Sequence, residues 1–196
     1  MRGTTVNIVC LLGSPRRGGN SSAIAHRFMS TAAGLGAATR TFELNLLTYR
    51  GCQGCYACKT NLDRCILDDG LAEVLQAVQN ADALVLATPV YYGEVAGQLK
   101  CFIDRTFSYL VPNYVGNPQP SRLAPGKKLV FAISQGNPDE KLFADIFPRY
   151  AGFFKWLGFT ENYLVRACGI GPATVDAVPE PVLRRAEETA RALVAQ

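Results

Sequence analysis

Four of the seven cysteines stand within a short stretch of the chain, as Cys52, Cys55, Cys58 and Cys65. The motif C-x2-C-x2-C-x6-C offers three thiolates at two-residue gaps and a fourth that returns after a short loop. This arrangement suits a [4Fe–4S] cluster. A structural zinc, a redox-active C-x-x-C pair and a loop that binds nothing stay open as alternatives, although two separated pairs would suit zinc better.

A second group of residues has the types that a phosphate monoester needs. Residues 13–22 read Gly-Ser-Pro-Arg-Arg-Gly-Gly-Asn-Ser-Ser, which is neither the G-x-G-x-x-G dinucleotide fingerprint nor an ATP-binding P-loop. A helix predicted to begin near Ser21 would direct its unpaired N–H groups at an anion, and Arg16 or Arg17 would add positive charge. The alternative is an ordinary turn between a strand and a helix. The side-chain donors are those of Ser14, Asn20, Ser21 and Ser22.

A third segment, residues 88–94, reads Thr-Pro-Val-Tyr-Tyr-Gly-Glu. Tyr91 and Tyr92 offer surface for stacking, and Gly93 allows a ring edge to approach the backbone. Alone, the segment would be typical of core aromatics beside a turn. One strand away from a phosphate site it favours an aromatic cofactor, and a chain of this length without a second domain suits FMN better than FAD.

The elements that must position these groups alternate along the chain. The predicted strands are Val6–Leu12, Thr39–Leu46, Ala83–Ala87, Lys128–Ser134 and Tyr163–Ala167. The predicted helices are Ser21–Ala33, Gly70–Asn80, Val95–Phe107, one starting at Asn137 and Pro181–Ala195. Apolar strands alternating with amphipathic helices predict an α/β flavodoxin-like fold, a five-stranded parallel sheet in the order 2-1-3-4-5 with helices on both faces. Ligands of such sheets bind at the carboxyl ends of strands 1 and 3.

Composition limits the remaining possibilities. The chain has 196 residues, 48% of them hydrophobic and 18% charged, which fits a single domain over residues 1–196 with a cysteine-rich loop at about 50–68. The net charge of +4 comes from scattered basic residues, so we expect no nucleic-acid partner but a possible small anionic ligand. No apolar run is long enough for a membrane helix and no export signal is recognisable, so a cytoplasmic location is expected.

Two of these motifs together resemble a known family. GSPRRGGNSS at residues 13–22 and ATPVYYGEVAGQLKCFIDR at Ala87–Arg105 resemble the NADPH-dependent FMN reductase family of flavodoxin-like proteins, and the likeness runs from Val6 to about Gly169. The resemblance implies that the FMN phosphate binds Ser14, Arg16, Asn20, Ser21 and Ser22. It implies that the ring system lies against Pro89, Val90, Tyr91, Tyr92 and Gly93, with the turn Ser134-Gln135-Gly136-Asn137 on its other side.

The cysteine motif resembles the iron–sulfur flavoprotein branch of the same family. The residues that follow it, Ile66-Leu67-Asp68-Asp69, resemble that branch as well. No proline follows Cys65, which departs from the ferredoxin pattern.

The resemblance implies two functional hypotheses, and a third, from a different class, stays open because a fold alone does not fix function. The first is an FMN-dependent oxidoreductase that takes electrons from NAD(P)H and passes them to a quinone, a free flavin or another small acceptor. The second is a dimeric iron–sulfur flavoprotein that carries electrons to a redox protein, and the third is a non-catalytic sensor of a phosphate ligand. A homodimer, alone or paired as a dimer of dimers, is expected. No side chain is identified as a catalytic acid or base.

Overall fold

Six strands form the sheet in the computed structural model, which describes residues 5–171 and 178–195. The strands are β1 (Asn7–Leu12), β2 (Ala38–Glu43), β3 (Ala83–Tyr91), β4 (Glu94–Val95), β5 (Lys127–Ser134) and β6 (Phe159–Ala167). The order is β2-β1-β3-β5-β6 with every pair parallel, and the two-residue β4 is added antiparallel to the end of β3. Apart from β4 this is the predicted order 2-1-3-4-5, so the flavodoxin-like prediction is confirmed.

Helices cover both faces of this sheet, as predicted. They are α1 (Asn20–Gly34), α2 (Ala57–Thr60), α3 (Gly70–Asn80), α4 (Gly97–Arg105), α5 (Ile146–Trp156) and α6 (Glu180–Val194), with 3-10 turns at Leu44–Leu46 and Thr106–Tyr109. Successive strand residues point to opposite faces. Ile8, Cys10 and Leu12 therefore pack with α1 and α6, whereas Val9 and Leu11 pack with α3, α4 and α5. No helix in this part of the chain is long and apolar enough to cross a membrane.

The ends of three strands differ from the prediction by three residues or more because of the neighbours that each strand finds. β3 runs on to Tyr91 rather than Ala87, since β5 pairs with it as far as Pro89 and β4 pairs with Val90 and Tyr91. β2 stops at Glu43 rather than Leu46, since its only partner β1 ends at Leu12, opposite Glu43. The chain then turns into a 3-10 segment. β6 begins at Phe159 rather than Tyr163, because β5 offers it a parallel partner along its whole length.

The predicted helix start at Asn137 is wrong, since α5 begins only at Ile146. The oxygen Asn137 Oδ1 accepts from the N–H of Asp139 at 2.8 Å, and Asp139 Oδ1 accepts from the N–H of Lys141 at 2.9 Å. These local bonds form turns instead of a helix cap. Phe143 then has a φ of 64°, in the left-handed region, which a right-handed helix cannot contain.

Candidate functional site

The three loops predicted to hold a ligand leave the same edge of the sheet. Leu12, at the end of β1, lies opposite Ala87 of β3, and Pro89 of β3 lies opposite Ser134 of β5. The backbone also links the first two loops, because the N–H of Gly13 donates to the carbonyl of Ala87 at 2.8 Å. The parallel register therefore brings the three predicted segments together, as the fold requires.

The first segment, residues 13–22, is called the phosphate loop below. Its shape is fixed by the backbone, because Gly18 has a φ of +66° and Gly19 stands at the N-cap of α1 without a side-chain hydrogen bond. A Cβ on Gly19 would lie 2.9 Å from Ser14 Oγ, so a larger residue here would turn the Ser14 hydroxyl aside. Asparagine and serine do not cap the helix as in an ordinary turn, since Asn20 is already its first residue.

Polar atoms are buried without partners where α1 begins. Asn20 and Ser21 have 8% and 1% of their surface exposed. Among the described residues, Asn20 Oδ1 and Ser21 Oγ find no hydrogen-bond partner, while Asn20 Nδ2 donates to the carbonyl of Gly171 at 3.3 Å. Buried polar groups are nearly always bonded, so these two oxygens call for a ligand or an ordered water. A hydroxyl such as Ser21 Oγ–H can donate to an anion, and the amide oxygen can accept from a ligand hydroxyl.

A polar cavity of about 310 Å³ opens beside the phosphate loop. Its lining brings together three of the predicted residues, Ser14, Arg16 and Ser22, whereas Asn20 and Ser21 do not line it. His26, which from the sequence is expected to be only a surface or packed helix residue, and Glu43, which has no predicted role, line the cavity as well. His26 stands four residues after Ser22 in α1, a spacing that places both on one face of a helix and could have identified it. The full lining is Leu12, Ser14, Arg16, Arg17, Gly18, Ser22, His26 and Glu43.

The second segment folds back as a hairpin, which we call the aromatic hairpin (residues 89–95). Val90 pairs with Val95 and Tyr91 with Glu94, so Tyr92 and Gly93 form a two-residue turn with φ values of 50° and 77°. Two left-handed residues define a type I′ turn, which tolerates glycine but strains tyrosine. The Tyr92 ring is fully exposed. Strain and exposure at one aromatic residue indicate a functional position rather than a packing one.

Two side chains of α5 support this hairpin. Glu94 accepts from Arg149 Nη1 at 2.7 Å and from the hydroxyl of Tyr150 at 2.9 Å. Burial raises the pKa of Glu94, but these bonds and one from the N–H of Val95 outweigh it, so the pKa lies below its usual range. Phe143 packs against the turn, 3.2 Å from where a Cβ on Gly93 would stand. One side of Gly93 is therefore covered by this chain itself.

The third segment is locked to the end of β6. Ser134 and Gln135 are buried, whereas Gly136 is exposed. Gln135 Nε2 donates to the carbonyls of Asn137 at 2.8 Å and Asp139 at 3.0 Å, while its Oε1 accepts from Arg166 Nε at 3.1 Å. The N–H of Ile170 donates to the carbonyl of Gln135 at 3.1 Å. This turn is held by Gln135, a residue that the sequence analysis placed in the turn without assigning it a role.

The cysteine loop (residues 50–68) follows β2 and contains little regular structure besides α2. All four cysteines of the motif line one cavity of about 410 Å³. Cys58 is buried, Cys65 half-buried, and Cys52 and Cys55 are exposed. Within residues 5–171 and 178–195, no three side chains of His, Cys, Asp or Glu are arranged to hold a metal ion. Four thiols around one cavity suit a cluster, in which each thiolate binds a different iron, better than a single zinc with four ligands at about 2.3 Å.

Two cations fasten this loop to the segment after α4. Lys59 Nζ donates to the carbonyls of Phe107 at 2.6 Å and Leu110 at 2.8 Å, and lies 3.6 Å from Cys58 Sγ. Arg122 Nη1 donates to the carbonyl of Ser108 at 2.7 Å and its Nη2 to that of Cys58 at 3.0 Å. The loop is thus held by charged side chains on backbone carbonyls.

Aromatic rings also lead away from the cysteine loop. Tyr56 meets Phe107 edge-on with ring centroids 6.0 Å apart, and Phe107 meets Tyr114 at 5.7 Å. Tyr114 in turn lies 6.1 Å from Trp156 of α5, whose side chain is half exposed. This aromatic series joins the cysteine loop to α5 across the long loop that precedes β5.

Arg105 is a further functional candidate, although its neighbour Asp104 in the sequence predicts only an ion pair between the two or a helix-end contact. The structure pairs Asp104 with Lys100 instead, and buries Arg105 completely beside Asp69. Arg105 Nη1 lies 2.6 and 2.8 Å from the two carboxylate oxygens of Asp69, and Nη2 donates to the carbonyl of Leu67 at 2.9 Å. Burial raises the pKa of Asp69, but its bonds from Arg105 and two backbone N–H groups outweigh this and hold the pKa below its usual range.

The comparison with known families decides the relationship of this chain. Residues 6–137 match the family model of the NADPH-dependent FMN reductases. The chain belongs to the NADPH-dependent FMN reductase family. The matched residues include the phosphate loop, the cysteine loop, the aromatic hairpin and the turn after β5.

Relatives within and around this FMN reductase family are distant. An iron–sulfur flavoprotein of Archaeoglobus fulgidus is 30% identical over 132 residues, which are 67% of this chain and 57% of the relative. An iron–sulfur flavoprotein of Methanosarcina thermophila is 33% identical over 101 residues, 52% of each chain. The chain thus spans little more than half the length of these relatives. The structure of an NAD(P)H:quinone oxidoreductase from Methanothermobacter marburgensis superposes with a TM-score of 0.77 at 20% identity, covering 97% of this chain and 96% of that one, which shows the shared fold.

Proposed function

We propose that this FMN reductase family member is an FMN-dependent oxidoreductase that takes electrons from NAD(P)H and gives them to a small acceptor. When bound, FMN supplies the hydride and electron chemistry, and the protein supplies binding and orientation. The observation that carries the proposal is the unpartnered Ser21 Oγ, buried at the start of α1. It lies at the sheet edge from which the strained aromatic hairpin also leaves.

The residues of this edge fit the two ends of a flavin mononucleotide. At the phosphate end, Ser21 Oγ–H and the first N–H groups of α1 donate to an anion, and α1 has no acidic residue in its first turn. Arg16 and Arg17 outnumber Glu43 in the neighbouring cavity, which favours negative charge. Asn20 Oδ1 accepts from a hydroxyl of the sugar-like chain. At the ring end, Tyr91, Tyr92 and Pro89 offer apolar surface for a planar system.

FMN binding by variants of α1 tests this proposal. Ser21→Ala should weaken FMN binding by about 1.5–3 kcal/mol, roughly 10- to 150-fold, as expected for a lost bond to a charged group. The free energy of unfolding without FMN should not fall, because Ser21 Oγ has no partner to lose among the described residues. Ser30→Ala is the matched control, since Ser30 is exposed and its hydroxyl donates to the carbonyl of Arg27 in the same helix.

Three results would contradict the proposal in different ways. A purified protein that takes up no FMN would favour the non-catalytic phosphate sensor. FMN binding without NAD(P)H oxidation in the presence of quinones or free flavin would refute the reductase activity alone. Equal FMN affinities of Ser21→Ala and Ser30→Ala would remove Ser21 from the phosphate site.

We further propose that a second copy of the chain completes the ring end of the site. The ring of Tyr92 is fully exposed, and on α5 Phe153 and Trp156 are also largely exposed. A homodimer would cover such rings, which single chains rarely leave open together. Light scattering during size-exclusion chromatography tests this, and a monomer with bound FMN would contradict it.

A second candidate function is an electron carrier that adds a [4Fe–4S] cluster at Cys52, Cys55, Cys58 and Cys65. It is favoured by the placement of these thiols around one cavity. Anaerobic purification should give about four iron and four sulfide per chain. Cys55→Ser should lower this content, while Cys168→Ser should not, because Cys168 does not line the cavity. FMN without iron in the wild-type protein would leave the reductase proposal standing and refute the carrier.

A further inference from the structure

The lining of the cysteine cavity includes a buried cation. Besides the four thiols and the phenol of Tyr56, the ionisable residues that line it are Arg105 and Asp104. Asp104 is largely exposed and paired with Lys100 at 2.6 Å, so solvent and this partner offset its charge. Arg105 has 1% of its surface exposed, and arginine keeps its charge at every pH a protein meets. Lys59, whose Nζ lies 3.6 Å from Cys58 Sγ, places a second cation beside the thiols.

Arg105 keeps one donor that nothing in the described chain accepts. Its Nη1 and Nη2 groups donate to the carboxylate of Asp69 and to the carbonyls of Arg50 and Leu67. Its Nε–H is buried and has no partner among residues 5–171 and 178–195. Because buried N–H groups nearly always find an acceptor, this one calls for an acceptor beyond the described residues, in a bound group or an ordered water. Sulfur carrying negative charge is such an acceptor, and the residue borders the cavity where four thiols meet.

We propose that Arg105 and Lys59 are positioning residues for an iron–sulfur cluster in the cysteine cavity, and that they raise its reduction potential. The inference rests on the second candidate function and adds what these two side chains do there. The Nε–H of Arg105 donates to a sulfur of the cluster or of a cysteine ligand. The positive charges of both residues favour the reduced state, which carries one more negative charge than the oxidised state.

The sign of the effect follows from the position of each charge. Hydrogen bonds to sulfur, net charge and burial set the potential of such clusters, and the low dielectric of a buried site strengthens each interaction. Lys59 and Arg105 should therefore raise the potential. Asp69 accepts from Arg105 and holds an opposite charge beside it, so it should lower the potential. Charge alone thus predicts opposite shifts for the loss of Lys59 and the loss of the Asp69 carboxylate.

Anaerobic redox titration of the iron-loaded protein, followed by electron paramagnetic resonance, tests this prediction. Lys59→Met should lower the ratio of reduced to oxidised cluster at a fixed potential about tenfold, a shift of about 59 mV for one electron. Asp69→Asn, which keeps an oxygen for the N–H of Leu71, should raise that ratio. Arg105→Lys keeps the charge but loses the Nε–H, and should lower the ratio by less than Lys59→Met.

Two controls separate charge from structural damage. Lys59→Arg should restore the wild-type ratio within about twofold, since it restores the cation. Arg64→Met removes a cation that also neighbours a cysteine of the motif, Cys65, but Arg64 is largely exposed and, within the part of the chain that the structure describes, pairs only with Asp63 at 3.7 Å. Its charge is screened by solvent, so the ratio should stay within about twofold of wild type.

The outcomes distinguish this inference from the electron-carrier function on which it rests. Opposite shifts for Lys59→Met and Asp69→Asn would support it, because general damage to the loop has no reason to change sign. Unchanged ratios, or shifts in the same direction, in proteins with full iron content would overturn the inference and leave the carrier function standing. A wild-type protein without iron and sulfide would overturn both.

Discussion

Among the described residues, the phosphate loop carries buried polar atoms without partners and the cysteine loop lies against one such atom, Nε of Arg105 in α4, but different forces shape the two loops. The phosphate loop joins β1 directly to α1, and its form depends on Gly18, Gly19 and the first turn of a helix. The cysteine loop has one short helix, and it is held by Lys59 and Arg105 bonding to carbonyls and to Asp69. One site is thus determined by the backbone and the other by charged side chains. The first should be sensitive to added volume and the second to lost charge.

The largest effect is expected where the charge that anchors the cysteine loop is removed. Arg105→Met leaves the carboxylate of Asp69 without its buried partner, which should lower the free energy of unfolding by about 3–5 kcal/mol. Lys100→Met, which breaks an exposed pair one turn earlier in the same helix, should cost no more than about 0.5 kcal/mol. Urea denaturation of both variants measures this. Equal losses would show that α4 tolerates no change at all and would break the distinction between the loops.

Added volume should damage the phosphate loop in the same assay. A Cβ on Gly13 would stand 2.7 Å from Leu99 Cβ and 3.1 Å from the carbonyl oxygen of Ala87. Gly13→Ala should therefore lower the free energy of unfolding by about 1–3 kcal/mol. Gly34→Ala at the other end of α1 meets nothing within 4 Å and should raise it by up to about 1 kcal/mol. A Gly13→Ala protein of wild-type stability would mean that the backbone of this loop yields easily.

The backbone also determines the aromatic hairpin, so one substitution at its turn should have opposite effects on stability and on FMN binding. Tyr92→Asn replaces a strained left-handed tyrosine by the residue that type I′ turns prefer before glycine. Stability should rise by about 0.5–1 kcal/mol, whereas FMN affinity should fall with the loss of the ring. Thermal unfolding and an FMN titration on one preparation test both signs. A gain in FMN affinity would show that Tyr92 obstructs the site.

The smallest effect concerns acid, which should weaken the anchor of the cysteine loop at Asp69. The pKa of Asp69 is lowered in the folded protein, so its stabilising effect is complete above the unfolded value near 4 and is lost as the pH falls through the folded value. The difference in urea midpoint between wild type and Asp69→Asn should therefore shrink below about pH 4. A difference that stays constant down to pH 3 would show that the Asp69 carboxylate does not titrate with folding.

The sequence alone predicts the strand order and the three ligand segments, because hydrophobic periodicity and turn residues are local signals. Pro89, Tyr91 and Ser134 lie at the carboxyl ends of their strands, the edge at which sheets of this type bind ligands. The role of Arg105 was missed, since its partner Asp69 lies in another helix cap and no local pattern links them. The helix start predicted at Asn137 is wrong for the opposite reason, because a local pattern was present there but did not decide the structure. A correct capping pattern was overridden by turns and by the left-handed Phe143.

The aromatic series gives the molecule a built-in optical reporter. Trp156 is the one tryptophan of the chain, and ring contacts connect it through Tyr114 and Phe107 to Tyr56 beside the cysteines. Ordering or loosening of the cysteine loop should therefore alter indole emission, while FMN binding at the phosphate loop should affect it mainly through energy transfer to the flavin. The fluorescence of Trp156 can thus report on the cysteine loop through ring contacts and on flavin binding through energy transfer.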